Sequence, residues 1–139
     1  MTPTNVRFPD AVDAGLAEFA RRTGLPKSTV VVTAVREWLT MQTFPGVVFR
    51  TVITGERRAA LVVGPEIWSV ADSWLAHKGR ERKPSIVAAT LGLPQREIET
   101  ALAYWAANRE EIDTQIANHH AAQDEALAAW QRRRELDAL

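Results

Sequence analysis

Residues 4–10 read Thr-Asn-Val-Arg-Phe-Pro-Asp, and the alternation in that run sets how the first third of the chain is built. Thr4, Val6 and Phe8 project to one side of an extended strand, Asn5 and Arg7 to the other. Pro9 ends the strand, and Asp10 is the expected N-cap of the helix that follows. From Ala11 to Thr23, Val12, Leu16, Phe19 and Ala20 recur at helical spacing. Gly24 stands where a C-cap glycine belongs, and Pro26 suits the start of a second helix running to about Thr40. Val31, Val35, Trp38 and Leu39 form one stripe on that helix, with Val30 and Ala34 beside it. One strand and two helices, about 40 residues, bury too little apolar surface to stand alone. The pattern predicts a twofold dimer in which two strands pair antiparallel and four helices interlock.

The rest of the chain predicts different elements. Met41 to Gly46 is the expected linker, with Phe44-Pro45-Gly46 a turn. Val47 to Ile53 and Arg57 to Val63 read as two strands of a hairpin around Thr54-Gly55-Glu56. Gly64-Pro65 opens a helix over 66–77, with Ile67, Val70, Ala71 and Trp74 on one face. A basic loop, Lys78-Gly79-Arg80-Glu81-Arg82-Lys83, leads to a short helix at about Ser85–Thr90. After Leu91-Gly92-Leu93 a further helix spans Pro94 to about Asn108, with Ile98, Leu102, Trp105 and Ala106 as its stripe. From Glu110 to Leu139 the chain is rich in alanine and charge and lacks glycine and proline. Ile112, Ile116, His120, Leu127 and Trp130 give that helix only a thin stripe, which suits a helix that docks on a partner. The expected class is mainly α with short β. It comprises a strand-helix-helix dimer module (1–42), a hairpin plus helix-turn-helix-like bundle (43–109) and a long partner-binding helix (110–139).

Composition narrows the function classes. The 139 residues are 46% hydrophobic and 24% charged, ordinary globular usage that excludes a wholly disordered or collagen-like chain. No cysteine is present, so disulfides, thiolate metal sites and cysteine nucleophiles are excluded. No apolar stretch approaches the ~20 residues that span a bilayer, and no secretory-type amino terminus is seen. No membrane partner and a cytoplasmic location are therefore expected. Seventeen basic residues balance seventeen acidic ones, so bulk charge names no nucleic-acid partner. Residues 1–50 carry six basic against four acidic residues, an asymmetry too weak to decide anything. A case for DNA must come from placement.

Asn5 and Arg7 supply it. A two-stranded ribbon fits the B-DNA major groove, where Arg pairs bidentately with guanine and Asn with adenine. Polar alternation alone would equally give a solvated strand face; the whole strand-helix-helix register is what favours DNA. Lys27, Ser28 and Thr29 open the second helix, whose free amides and dipole suit a phosphate. The same residues suit ordinary capping, and both roles can hold together. The basic loop at Lys78, Arg80, Arg82 and Lys83 reads as a solvated charge run. The Gly92–Pro94 turn suggests a second reader, but Gln95-Arg96-Glu97 is a mixed-sign helix start that suits a duplex poorly, so a structural or dimerising bundle is expected.

The run Asn5-Val6-Arg7-Phe8-Pro9-Asp10, the Arg22-Thr23-Gly24 turn and the Lys27-Ser28-Thr29 helix start resemble the ribbon-helix-helix repressors of the CopG and Arc type over about residues 3–40. Pro3 stands where those relatives often place a polar base-reading residue, and proline cannot donate to a ladder. From Phe44 to about Asp113 the chain resembles a small bacterial domain of uncertain function common in proposed antitoxins. The residues that carry this likeness are Phe44-Pro45-Gly46-Val47, Gly64-Pro65-Glu66-Ile67-Trp68, Leu93-Pro94-Gln95-Arg96-Glu97 and Ala101-Leu102-Ala103-Tyr104. Phe44 replaces the His of the His-Pro-Gly with which such relatives often begin.

The two resemblances together imply a VapB-type antitoxin of a type II toxin–antitoxin pair, with operator DNA, a second copy and a PIN-like ribonuclease toxin as partners. In that setting Leu127, Trp130, Arg132, Arg133 and Arg134 are the expected toxin contacts. An aromatic anchor beside arginines suits an interface, and a guanidinium inserted among nuclease carboxylates opposes metal binding there. The plain alternative is helix solubility with cations near a C-terminus. His77, His119 and His120 read as exposed helix residues. His119 and His120 point about 100° apart, so they do not form an i, i+4 metal pair. No phosphate loop or nucleophile elbow occurs, and no enzyme activity or cofactor is expected. The other readings are a stand-alone repressor with a carboxy-terminal dimerisation or effector domain, and an assembly protein self-associating through its long helix.

Overall fold

Backbone punctuation sets the helix ends. In the structure, a computed structural model describing residues 2–139, Gly24 closes the first helix at φ 75°, its amide bonded to Ala20 O. That left-handed conformation is open to glycine at little cost. The elements are α1 (Asp10–Thr23), α2 (Lys27–Thr43), β1 (Val47–Thr51), β2 (Arg57–Leu61), α3 (Ile67–Ala76), α4 (Pro84–Leu91), α5 (Gln95–Ala107) and α6 (Arg109–Asp137). The chain is mainly helical, with one two-stranded antiparallel sheet among the described residues. It divides into two units, Met1–Thr43 and Phe44–Leu139. Met1, part of the expected 1–42 module, lies outside the described residues.

The first unit departs from expectation in three places. Residues 2–9 carry no ladder, because a strand's backbone groups need a second strand and one chain offers none. Asp10 is the first residue of α1 rather than its cap, and Pro9 occupies the cap position without a side-chain hydrogen bond. Helix α2 runs through Met41, Gln42 and Thr43, so the linker shortens to Phe44–Gly46. No breaker occurs before Pro45. The Thr40 and Thr43 hydroxyls donate to Arg36 O and Leu39 O, and the Gln42 amide to Trp38 O. Neither α1 nor α2 contains a single buried residue.

The second unit has a core of its own. β1 and β2 pair from Val47↔Leu61 to Thr51↔Arg57, each strand two residues shorter at its C-terminal end than the sequence suggests. Val52 and Ile53 leave the ladder for the turn, where the Val52 amide donates to Glu56 O and the Gly55 amide to Val52 O. After Leu61 the chain folds back, held by Arg50, whose guanidinium donates to the carbonyls of Leu61, Val62 and Gly64. Leu61, Ile67, Val70, Val87, Ile98 and Ile112 are fully buried together, so every helix from α3 to α6 feeds one cluster. Phe44 packs edge-on against Tyr104, with ring centroids 5.3 Å apart.

Helix α6 belongs to this core for its first turns. Ile112, Gln115 and Ile116 are buried, and at the α5–α6 corner Tyr104 Oη donates to Glu111 and Trp105 Nε1 to Asp113, both at 2.8 Å. The expected division at 109/110 is therefore displaced. The boundary between supported and unsupported helix falls near residue 120, because the thin stripe of α6 is dense enough over 112–116 to bury. The Trp105 indole, then Arg109, hold the Asp113 carboxyl below its ordinary value. A lowered carboxylate stabilises above its unfolded pKa and loses that contribution as pH falls through the folded one. The melting midpoints of the wild type and Asp113→Asn should therefore converge as pH drops below the ordinary aspartate range, and a constant gap would contradict this.

Candidate nucleic-acid and partner interfaces

Three surfaces are built from side chains that the fold leaves free. On the first unit Asn5 and Arg7 are exposed, as are Lys27, Ser28 and Thr29 at the start of α2. The Val30 amide donates to Pro26 O at 3.2 Å, so the three preceding amides project from the helix start without an i−4 carbonyl, and no acidic residue sits in that first turn. Among the described residues no hydrogen bond or ion pair joins Asn5 or Arg7 to this helix start. The two groups share a unit, and the single chain does not assemble them into one cluster.

The same unit carries an apolar surface. Val6, Val12, Phe19, Leu25, Val32, Val35, Trp38 and Leu39 are all exposed, Trp38 by 60%. Val32, Val35, Trp38 and Leu39 fall within roughly a third of the circumference of α2. A patch of this kind marks an interaction surface.

The second surface is the end of α6. From Ala121 to Leu139 every residue is exposed except the half-buried Ala128. Leu127 and Trp130 are each 54% exposed, and the Arg134 guanidinium lies 4.9 Å over the Trp130 ring. The five expected contacts do not share one face. Leu127, Trp130 and Arg134 do, whereas Arg132 and Arg133 point roughly 120–140° from Leu127 at 100° per residue. Arg133 is also paired with Asp137. The run Trp-Gln-Arg-Arg-Arg looks contiguous in sequence, but the helix splits it.

The third surface is the helix pair α4–α5, with the segment 78–83 leading into it. Lys78, Arg80 and Lys83 are exposed. Arg82 donates to Leu75 O and His77 O, so it braces the segment rather than being a free cation in a solvated run. Arg96 projects to solvent, its side chain 81% exposed, while Glu97 is turned in at 13%.

The histidines are not idle helix residues. The His119 ring lies 4.3 Å from that of Trp68, His120 Nε2 is 2.8 Å from Asp72 Oδ1, and His77 bridges Ser73 O and Thr90 Oγ1. The first two fasten α6 to α3, and His77 fastens α3 to α4. Glu56, Glu110, Glu111, Thr114, Gln115 and Asn118 line an open groove that sequence reading did not single out, since its sides come from a turn and a helix far apart in the chain. Among the described residues no group of three or more His, Cys, Asp or Glu could hold a metal ion, and no helix is long and apolar enough to cross a membrane.

No family model, curated protein or solved structure matches the chain. The functional reading therefore rests on these surfaces and on the sequence resemblance alone.

Proposed function

We propose that the chain is the antitoxin of a type II toxin–antitoxin pair. Two copies join through the first unit, an antiparallel ribbon of residues 4–8 reads operator DNA, and the end of α6 neutralises a PIN-like ribonuclease. The toxin's identity as a nuclease comes from the resemblance. The observation that carries the reading is the α6 arm, a run of exposed helix with Leu127, Trp130 and Arg134 aligned on one side and nothing in its own unit to cover them. Trp130 supplies the anchor and Arg134 the guanidinium that pairs with carboxylates a nuclease needs for its metal.

The second copy in this reading covers the apolar face of α1 and α2, and pairing brings the two 4–8 segments side by side. Asn5 and Arg7 then point into the major groove, and the amides of residues 27–29 grip flanking phosphates, which position the dimer without reading sequence. No catalytic role enters this reading. A stand-alone repressor would keep the DNA half and use the arm for self-association; neutralisation separates the two.

Growth arrest by the product of the adjacent nuclease gene should be relieved by the full chain and not by a chain ending at His120. Relief by the shortened chain would move the toxin contact to the folded part of the second unit. An adjacent gene without toxicity would leave the repressor reading. Separately, Asn5→Ala with Arg7→Ala should remove the ribbon's share of operator preference, since each bidentate pair discriminates by roughly 1–3 kcal/mol. The melting transition should move by less than about 0.5 kcal/mol, as for exposed positions generally. A double variant that fails to fold would place these side chains on the inner face instead.

A further inference from the structure

We infer that α4–α5 is a second DNA-reading element, a helix-turn-helix that lays α5 in the major groove of duplex DNA independently of the ribbon. A helix-turn-helix joins two helices by a three- or four-residue turn that often contains glycine, and its second helix enters the groove. Here α4 ends at Leu91, and Gly92, Leu93 and Pro94 make the turn before α5 begins at Gln95. Gly92 sits at φ 67° with its amide on Ala88 O, and the Leu93 amide reaches the same carbonyl at 3.0 Å. A side chain at Gly92 would be strained there whatever the space around it. Val87 and Ala88 from the first helix and Ile98 and Ala101 from the second are buried in the same core cluster, so both helices pack on one core.

The outer face of α5 carries the chemistry of base edges. Gln95, Arg96, Glu99, Ala103, Ala106 and Ala107 are its exposed positions. Gln pairs with adenine, Arg with guanine, and Glu accepts from cytosine N4. No large apolar side chain stands among them, so the face lacks the anchor that a protein partner would need. At the mixed-sign start of the helix Glu97 is turned in and pairs with Arg96 Nε at 3.6 Å, while the Arg96 side chain stays 81% exposed on the outer face. Glu99 is held by Gln95 Nε2 at 3.1 Å, which steers both side chains along the groove-facing row.

Charge placement favours the same occupant. Lys78, Arg80 and Lys83 lie in the chain just before α4, exposed and without an ion pair among the described residues. Glu81 is the one acid among them. The first helix of such a motif crosses the phosphate backbone, where unpaired cations bind by releasing counterions. Arg82 braces this segment by its two carbonyl contacts, so the cations sit on an ordered approach. Glu56, Glu110 and Glu111 of the same unit gather in a groove formed by other elements.

The test uses the full chain carrying Asn5→Ala and Arg7→Ala, and a labelled mixed-sequence duplex of about three helical turns. Adding Arg80→Ala and Lys83→Ala should flatten the dependence of log K on log salt by about 2, near 0.9 for each phosphate lost. Affinity at about 0.1 M salt should fall tenfold to a hundredfold, with an unchanged melting midpoint. In a selection from randomised duplexes, Gln95→Ala should alter the recovered sequences without changing the salt slope. An unaltered slope in the cation variant overturns the inference. So does a lowered slope with recovered sequences that Gln95→Ala leaves the same, because contact would then be to phosphate alone. Failure of the ribbon reading registers elsewhere, as identical sequence preference in the wild type and the Asn5→Ala/Arg7→Ala chain.

Discussion

Removing residues 110–139 unfolds the second unit, whereas removing 121–139 leaves it intact; that contrast is the expected result of two truncations nineteen and thirty residues from the end. The longer deletion takes away Ile112 and Ile116, exposed by 0% and 6%, together with the carboxylates that receive Tyr104 Oη and Trp105 Nε1. A buried isoleucine cut to alanine costs roughly 2–5 kcal/mol, and here two are lost entire. A domain holds only about 5–15 kcal/mol in total, so the loss matches the whole reserve. The stump would also leave the Tyr104 hydroxyl and Trp105 indole without their acceptors. The shorter deletion removes residues that are exposed except for the half-buried Ala128, and should shift the melting midpoint by no more than a few degrees. Far-ultraviolet circular dichroism with thermal melts decides it. A cooperative melt in the chain ending at Arg109 would show that α6 is dispensable to the core. Only the shorter truncation isolates the arm as a partner surface, since the longer one confounds a lost contact with a lost fold.

Much of the architecture was legible because it is written in local signals. Pro26, Gly24, Gly64-Pro65 and Gly92 punctuate the helices by backbone chemistry that needs no tertiary context, and the elements begin and end within a few residues of them. Ile67, Val70 and Ala71, read as one face, are buried together. What was not legible depends on which helix meets which. The stripe of α6 is sparse, so its periodicity could not reveal that Ile112 and Ile116 meet a core while Leu127 and Trp130 meet solvent. His119 and His120 looked idle because their partners, Trp68 and Asp72, lie about fifty residues away. The alternating signs at Arg96 and Glu97 were visible; their opposite exposures follow from the packing of α5. The alternation at 4–8 forms no strand in the single chain, because no other segment there offers it a ladder.

Val35→Asp should dissolve the first unit. In one chain α1 and α2 bury no residue at all, and Val35 stands in the middle of the exposed stripe Val32, Val35, Trp38 and Leu39. Covering the exposed half of one such side chain is worth roughly 1 kcal/mol, so a second copy laid across the stripe can hold both helix pairs where neither holds itself. Isolated helices of 14 and 17 residues are marginal in water without such packing. A carboxylate placed at the centre of that contact would be buried without a partner and costs several kcal/mol. The wild type should therefore sediment as a dimer at micromolar concentration, with a low-temperature helical transition whose midpoint rises with protein concentration by mass action. The Val35→Asp chain should sediment as a monomer, lose that transition, and keep unchanged the melt of the second unit, whose core shares no residue with the first. The ribbon's share of operator binding should disappear with the dimer although Asn5 and Arg7 remain in place, because a ribbon needs two strands. If the wild type stays monomeric at every concentration with α1 and α2 fully helical, the apolar face has another occupant and the ribbon cannot form from it.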